Sequence, residues 1–201
     1  HFGSAAVAAI GNGNQVMNVV IIVLETMSAA TTILLTQTLG ARKGEAACNE
    51  VATVGVAIST VFSLLMGLVL LCVPQVIFGV LRPPEEAFAN ACLYTRIVGG
   101  GVLIQGLYIE LCAILRSYTL LKEVVCVSVV MNVLNIAGNA VLINGWLGLP
   151  RLGVAGAAVA TVLGTVCAFI MCLFSLMKKG MFLDLRKILR SWRFDKKTLG
   201  S

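Results

Sequence analysis

Apolar residues fall into five long stretches, from about Asn14 to Leu39, Val51 to Leu81, Ala87 to Leu115, Val124 to Ile143 and Val154 to Met177. Each reaches the ~20 residues that an α-helix needs to cross a bilayer, whereas a membrane β-strand needs about 10 and alternates apolar with polar. A β-barrel is thereby excluded, and an all-α integral membrane protein, a polytopic helical bundle, follows. Only 12% of the 201 residues are charged and 59% are hydrophobic. A soluble domain is about a quarter charged, so this chain has too little polar surface to coat a water-soluble globule.

The stretches end at recognisable stops. Gly40 to Gly44 closes the first, and Arg82-Pro83-Pro84-Glu85-Glu86 closes the second, where the paired prolines cannot continue a helix. Arg116 ends the third, the turn-prone run 144–150 the fourth, and Lys178-Lys179-Gly180 the fifth. The chain opens on His1 without the basic, apolar and small-residue succession of a signal peptide. The expected organisation is an outer end over residues 1–13, a transmembrane lobe over 14–177, and a basic tail over 178–201. Of the 15 Lys and Arg, 12 lie in the segments 42–50, 116–123 and 178–201, against only Arg82 and Arg151 on the opposite side. The positive-inside rule makes the first side cytoplasmic, in a cell (plasma or inner) membrane, with the start of the chain outside. The excess of +6 is thus accounted for by topology and implies no nucleic-acid partner. In the tail, Phe182, Leu185, Ile188, Leu189 and Trp192 recur at helical spacing among Arg186, Lys187, Arg190 and Arg193, a pattern suited to an amphipathic helix on the anionic leaflet. The seven cysteines form no CxxC pair and are expected to be small buried hydrophobes rather than disulfides or metal ligands.

Helices meet in lipid through small residues and interhelical hydrogen bonds. Gly55, Ser59, Ser63 and Gly67 recur every four residues in the second stretch, as do Gly156, Ala160, Gly164 and Ala168 in the fifth, each making a groove for close backbone approach. Polar stripes are more telling, because a polar group facing lipid is costly. On the first helix Asn14, Asn18, Glu25, Ser28, Thr32 and Thr36 lie within about 40° of one line at 100° per residue. Lipid disfavours a charged carboxylate at mid-span, so Glu25 is a candidate proton carrier or, alternatively, a neutral side chain bonded to a neighbouring helix. On the third helix Arg96, Gly99, Gly106 and Glu110 share a face. Arg96 and Glu110 stand about 21 Å apart along the axis, too far to pair, so each has a partner elsewhere or snorkels to an interface. On the fourth, Ser128, Asn132, Asn135 and Asn139 form one narrow face whose amides either knit helices together or offer carbonyl oxygens to a cation or substrate. No zinc spacing, phosphate loop or Ser–His pairing is present, so the chain is not expected to be an enzyme or to hold a cofactor.

The stretch MNVLNIAGNAVLINGWLGLPRLGVAGAAVATV (131–162) closely resembles the signature at the fifth and sixth helices of the multidrug and toxic compound extrusion (MATE) transporters. AAVAAIGNGNQVM (5–17) is similar to the start of that family's second helix, and TQTLGARKGEAA (36–47) to the loop that follows it. Family members have two six-helix lobes. The resemblance implies that this chain supplies five transmembrane helices of a six-helix MATE-type lobe, its second to sixth, and lacks the first helix and the second lobe. It further implies an antiporter in which Na⁺ or H⁺ enters as an amphipathic, often cationic, small molecule leaves by alternating access, as in parallel-repeat transporters.

Carried over by position, Asn135 and Asn139 match the residues that help bind the coupling cation, which makes them the Na⁺ candidates. The second position is often Asp in relatives, so its replacement by Asn139 argues against proton coupling there. Asn132, Glu25, Asn18, Thr32, Glu110 and Arg96 complete the candidate cation- or substrate-binding set. After Arg116-Ser117 relatives usually place Gly and, five residues later, Pro, where this chain has Thr119 and Val124, read here as drift. The alternatives are a lipid-linked or polysaccharide flippase of the same superfamily, and a non-transporting membrane scaffold. Expected partners are the bilayer, a small-molecule substrate, and either the missing lobe or a second copy of the chain.

Overall fold

The computed structural model describes residues 3–81, 84–145 and 151–178. These form six helices: α1 (Ser4–Gly40), α2 (Glu45–Cys72), α3 (Pro74–Leu81), α4 (Glu85–Ser117), α5 (Leu121–Asn144) and α6 (Gly153–Lys178). All but the short α3 are long and apolar enough to cross a membrane. The basic tail expected beyond Lys178 lies outside the described residues.

Two helix limits depart from the sequence reading. Residues 4–13, expected ahead of the first span, belong to α1. Alanines favour helix there, and Gly13 gives room to the Tyr94 ring of α4, which a side chain at that position would overlap. The second stretch is not one helix but two, split before Pro74. A proline there has no N–H to donate and its ring crowds the carbonyl one turn back, so Val73 leaves helical geometry at φ −122° and ψ 23° and α3 begins afresh.

α4 is the centre of the bundle, packed against α1, α2 and α6, while α5 docks chiefly on α6. The small-residue grooves explain how the backbones come so close. Gly55, Ser59, Ser63 and Gly67 are all buried against α4. A side chain at Gly67 would press on the Gly99 carbonyl, and one at Gly106 would overlap Ser63. On α6, Gly156, Ala160, Gly164 and Ala168 are buried as expected, and Leu142, Gly138 and Met131 of α5 lie against the first three. The outward faces hold exposed Val19, Ile22, Leu64, Ile136 and Phe174, as a surface facing hydrocarbon requires. Only four cysteines fit the buried reading; Cys72, Cys126 and Cys167 are exposed. The thiols of Cys112 and Cys172 meet at 3.6 Å between α4 and α6.

Two connections at the same end of the bundle share one device. At the close of α4, Thr119 N–H donates to Arg116 O (2.9 Å) and Leu120 N–H to Leu115 O (3.0 Å); at the close of α1, Arg42 N–H donates to Leu39 O (3.1 Å) and Lys43 N–H to Thr38 O (3.3 Å). Both are Schellman caps, whose turning residue is left-handed and normally glycine. Here Arg42 (φ 51°) and Thr119 (φ 60°) occupy it. Thr119 therefore makes the turn in place of a glycine, at the expense of strain in a β-branched residue.

Candidate functional site

Two polar clusters stand out, one half-buried between α5 and α6 and one fully buried between α4 and the α1–α2 pair. The first spans α5 and α6. Asn135 Nδ2 donates to Thr161 Oγ1 at 3.1 Å, and Asn139 Nδ2 donates to Asn135 Oδ1 at 3.0 Å. Asn139 Oδ1 is buried and, among the described residues, has no hydrogen-bond partner. A buried amide oxygen without a donor is unusual in a folded protein. The arrangement follows from α5–α6 packing, which puts Asn135 against Gly164 in the interface.

Thr161 connects this cluster to a cavity of about 90 Å³ between α1, α4 and α6, lined among others by Asn14, Asn18, Tyr94, Gln105 and Thr165. Tyr94 donates its hydroxyl to Asn14 Oδ1 at 2.7 Å, and Thr165 Oγ1 sits 2.9 Å from Gln105 Oε1. Drug-sized ligands occupy pockets of roughly 300 Å³ or more, so this cavity suits water or a small ion rather than a whole organic substrate.

The second cluster joins α1, α2 and α4 at Glu110, which is fully buried. Ser28 Oγ donates to its Oε2 at 2.6 Å and Ser59 Oγ to the same oxygen at 2.9 Å. Oε1 has no hydrogen-bond partner among the described residues. It lies against Gly55 together with the Thr31 hydroxyl, and a Cβ at Gly55 would overlap both.

The remaining sequence candidates are dispersed. Asn18 is exposed but lines the cavity. Asn132 is exposed and turns back onto its own helix, donating to Ser128 O at 2.8 Å. Thr32 likewise donates to Ser28 O at 3.1 Å. Glu25 and Arg96 are both exposed. The α1 stripe thus contributes only Ser28 to the buried face, which passes instead through Leu24, Thr31 and Leu35. Tyr94, Gln105, Thr161 and Thr165 were not singled out by the sequence. Thr161 and Thr165 flank the Gly-Ala ridge of α6 at a four-residue step, and that spacing was the available signal.

The MatE family model matches residues 1–141. The chain belongs to the MatE family. Among curated MatE relatives, it is 34% identical over 169 residues to the Uncharacterized transporter YisQ of Bacillus subtilis (strain 168), covering 84% of this chain and 37% of that protein. It is 29% identical to the Probable multidrug resistance protein YoeA of the same organism, covering 98% of this chain and 42% of the relative. The chain therefore spans about two fifths of the length of these relatives. Its fold matches a crystal structure of MATE in the bent conformation with a TM-score of 0.82 at 23% identity, over 90% of this chain and 39% of that one. This MatE chain is a multi-pass membrane protein, and the relatives it matches are named as a transporter and as a probable multidrug resistance protein.

Proposed function

We propose that this chain is part of a cation-coupled exporter of amphipathic, often cationic, small molecules that works by alternating access. The observation that carries this reading is the Asn139 Oδ1, buried and without a hydrogen-bond partner among the described residues, next to Asn135, whose amide reaches Thr161 at the edge of a small cavity. Neutral amide and hydroxyl oxygens suit a hard cation such as Na⁺ and cannot carry a proton. The cavity is too small for the exported compound, so that compound binds where this lobe faces the rest of the transporter. The names of relatives such as YoeA support multidrug export as the activity. A phosphate-bearing lipid is a poorer substrate, since Arg96 is the one Lys or Arg inside the five apolar stretches.

The basic residues Arg42, Lys43, Arg116, Lys122 and Lys178 gather at one end of the bundle, which is the cytoplasmic end of a cell-membrane protein in this reading. The test is a chimera in which this chain replaces the matching stretch of YoeA, expressed in an efflux-deficient bacterium. It lowers accumulation of a cationic dye, and Asn135→Ala abolishes that effect. A chimera that reaches the membrane yet leaves dye retention unchanged would overturn the assignment.

A further inference from the structure

We propose that Glu110 is a proton-binding site, separate from the asparagine cluster, with Oε1 as the atom that takes the proton. The carboxyl is fully buried where α1 and α2 meet α4, and both of its hydroxyl donors, Ser28 and Ser59, serve Oε2. Oε1 is left without a partner among the described residues. A charged carboxylate with one bare oxygen in such surroundings is costly, and it needs either a positive charge or a proton.

The surroundings decide between them. Among the described residues no group of His, Cys, Asp or Glu side chains gathers that could hold a metal ion, and Oε1 faces Gly55 and the Thr31 hydroxyl, whereas a proton needs no further ligands. The step is a single proton transfer between bulk water and Oε1, with one O–H bond formed or broken.

Among the described residues, no other titratable group competes at this point. On α1 the single one is Glu25, which is exposed. On α2 they are Glu45, Glu50 and Cys72, all exposed, and Cys48, buried seven residues before Gly55, about 10 Å along the axis. On α4 itself, Tyr108 and Cys112 turn toward Ser128 of α5 and Cys172 of α6, Arg96 and Arg116 are exposed, and Glu85, Glu86, Cys92 and Tyr94 lie about 24 Å or more away along the axis. α6 packs on α4 from that other side, with Cys172 against Cys112.

The consequence is mechanical. With the proton in place the seam between α4 and the α1–α2 pair is neutral and closed; without it an anion sits in the seam and favours water entry and separation of the helices. Glu110 thus supplies the titratable group that Asn139 does not, and only its role as a coupling site rests on the export reading above.

The test is infrared difference spectroscopy on this chain in lipid nanodiscs during a pH jump. Expected is a carbonyl band of a protonated carboxylic acid that appears on acidification, is lost in Glu110→Gln and is retained in Glu25→Gln. If Glu110→Gln does not fold, Glu110→Asp keeps the carboxyl and shifts the band instead. A band indifferent to both Glu110 substitutions overturns the assignment, as does a carboxylate response to added Na⁺ at fixed pH that Glu110→Gln removes. The band needs no transport, so failure of dye export and failure of the proton site are told apart.

Discussion

Ser28 of α1 donates its hydroxyl to Glu110 of α4 at 2.6 Å across 82 residues of sequence, and Ser59 of α2 donates to the same oxygen. One carboxyl group therefore ties three helices. Replacing Ser28 or Ser59 by Ala removes one donor and is expected to lower stability by about 1–3 kcal/mol, since both bonds end on a buried acidic group. Thermal unfolding in detergent checks this. The two losses should not be additive, because the donors share an acceptor.

Gly55 is where that junction tolerates no side chain. Gly55→Ala meets Oε1 of Glu110 and the Thr31 hydroxyl, and is expected to destabilise by about 1–3 kcal/mol. Gly11, a helical glycine with open space around it, is the control. Gly11→Ala should be neutral or stabilising by up to about 1 kcal/mol. Equal melting temperatures for the two variants would contradict the packing described.

The left-handed cap residues make a stabilising prediction. Thr119→Gly relieves a β-branched residue at φ 60°, and about 1 kcal/mol of added stability is expected. Arg42→Gly at φ 51° should gain less, because an unbranched side chain is less strained there. Chemical denaturation of both variants would rank them.

At the asparagine cluster, Na⁺ should raise the melting temperature of the chain. A concentration 100-fold above Kd is worth about 2.7 kcal/mol for binding to the folded state alone. Asn139→Ala should abolish the shift, whereas Asn132→Ala should retain it, since Asn132 bonds only its own helix. A Na⁺ shift that survives Asn139→Ala would place the ion elsewhere.

Tyr118, just past α4, has its phenol pushed above the ordinary tyrosine value, first by burial and then by the nearby Cys48 and Glu45. A raised value means that folding favours the neutral phenol. Its contribution is full below about pH 10 and is lost as pH climbs through the folded-state value. Tyr118→Phe should therefore flatten the alkaline decline in stability while leaving neutral pH little changed. A decline of the same slope in both proteins would show that another group causes it.

The small-residue grooves of α2 and α6 were legible because a four-residue step needs no knowledge of the partner: Gly55-Ser59-Ser63-Gly67 marks a close approach whatever approaches. The narrow amide face of α5 was legible too, but of its three asparagines the structure joins Asn135 and Asn139 and leaves Asn132 exposed. Glu25 and Glu110 were not separable on these grounds. Both are carboxylates on apolar helices, yet one is exposed and the other fully buried. Pro74 was passed over because its flanks are apolar, although its missing N–H ends α2.

From the sequence alone came the class of the molecule, its five membrane-crossing helices, the family resemblance and the angular position of each polar group on its own helix. These depend on local periodicity and on the cost of polar atoms in lipid. The tertiary structure alone decided which helix lies at each angle: that α4 is central, that Ser28 and Ser59 converge on Glu110, and that Thr161 meets Asn135. A helix in lipid is apolar on nearly every side, so hydrophobic patterning cannot single out its inner face, and only the packing of small residues against particular neighbours does.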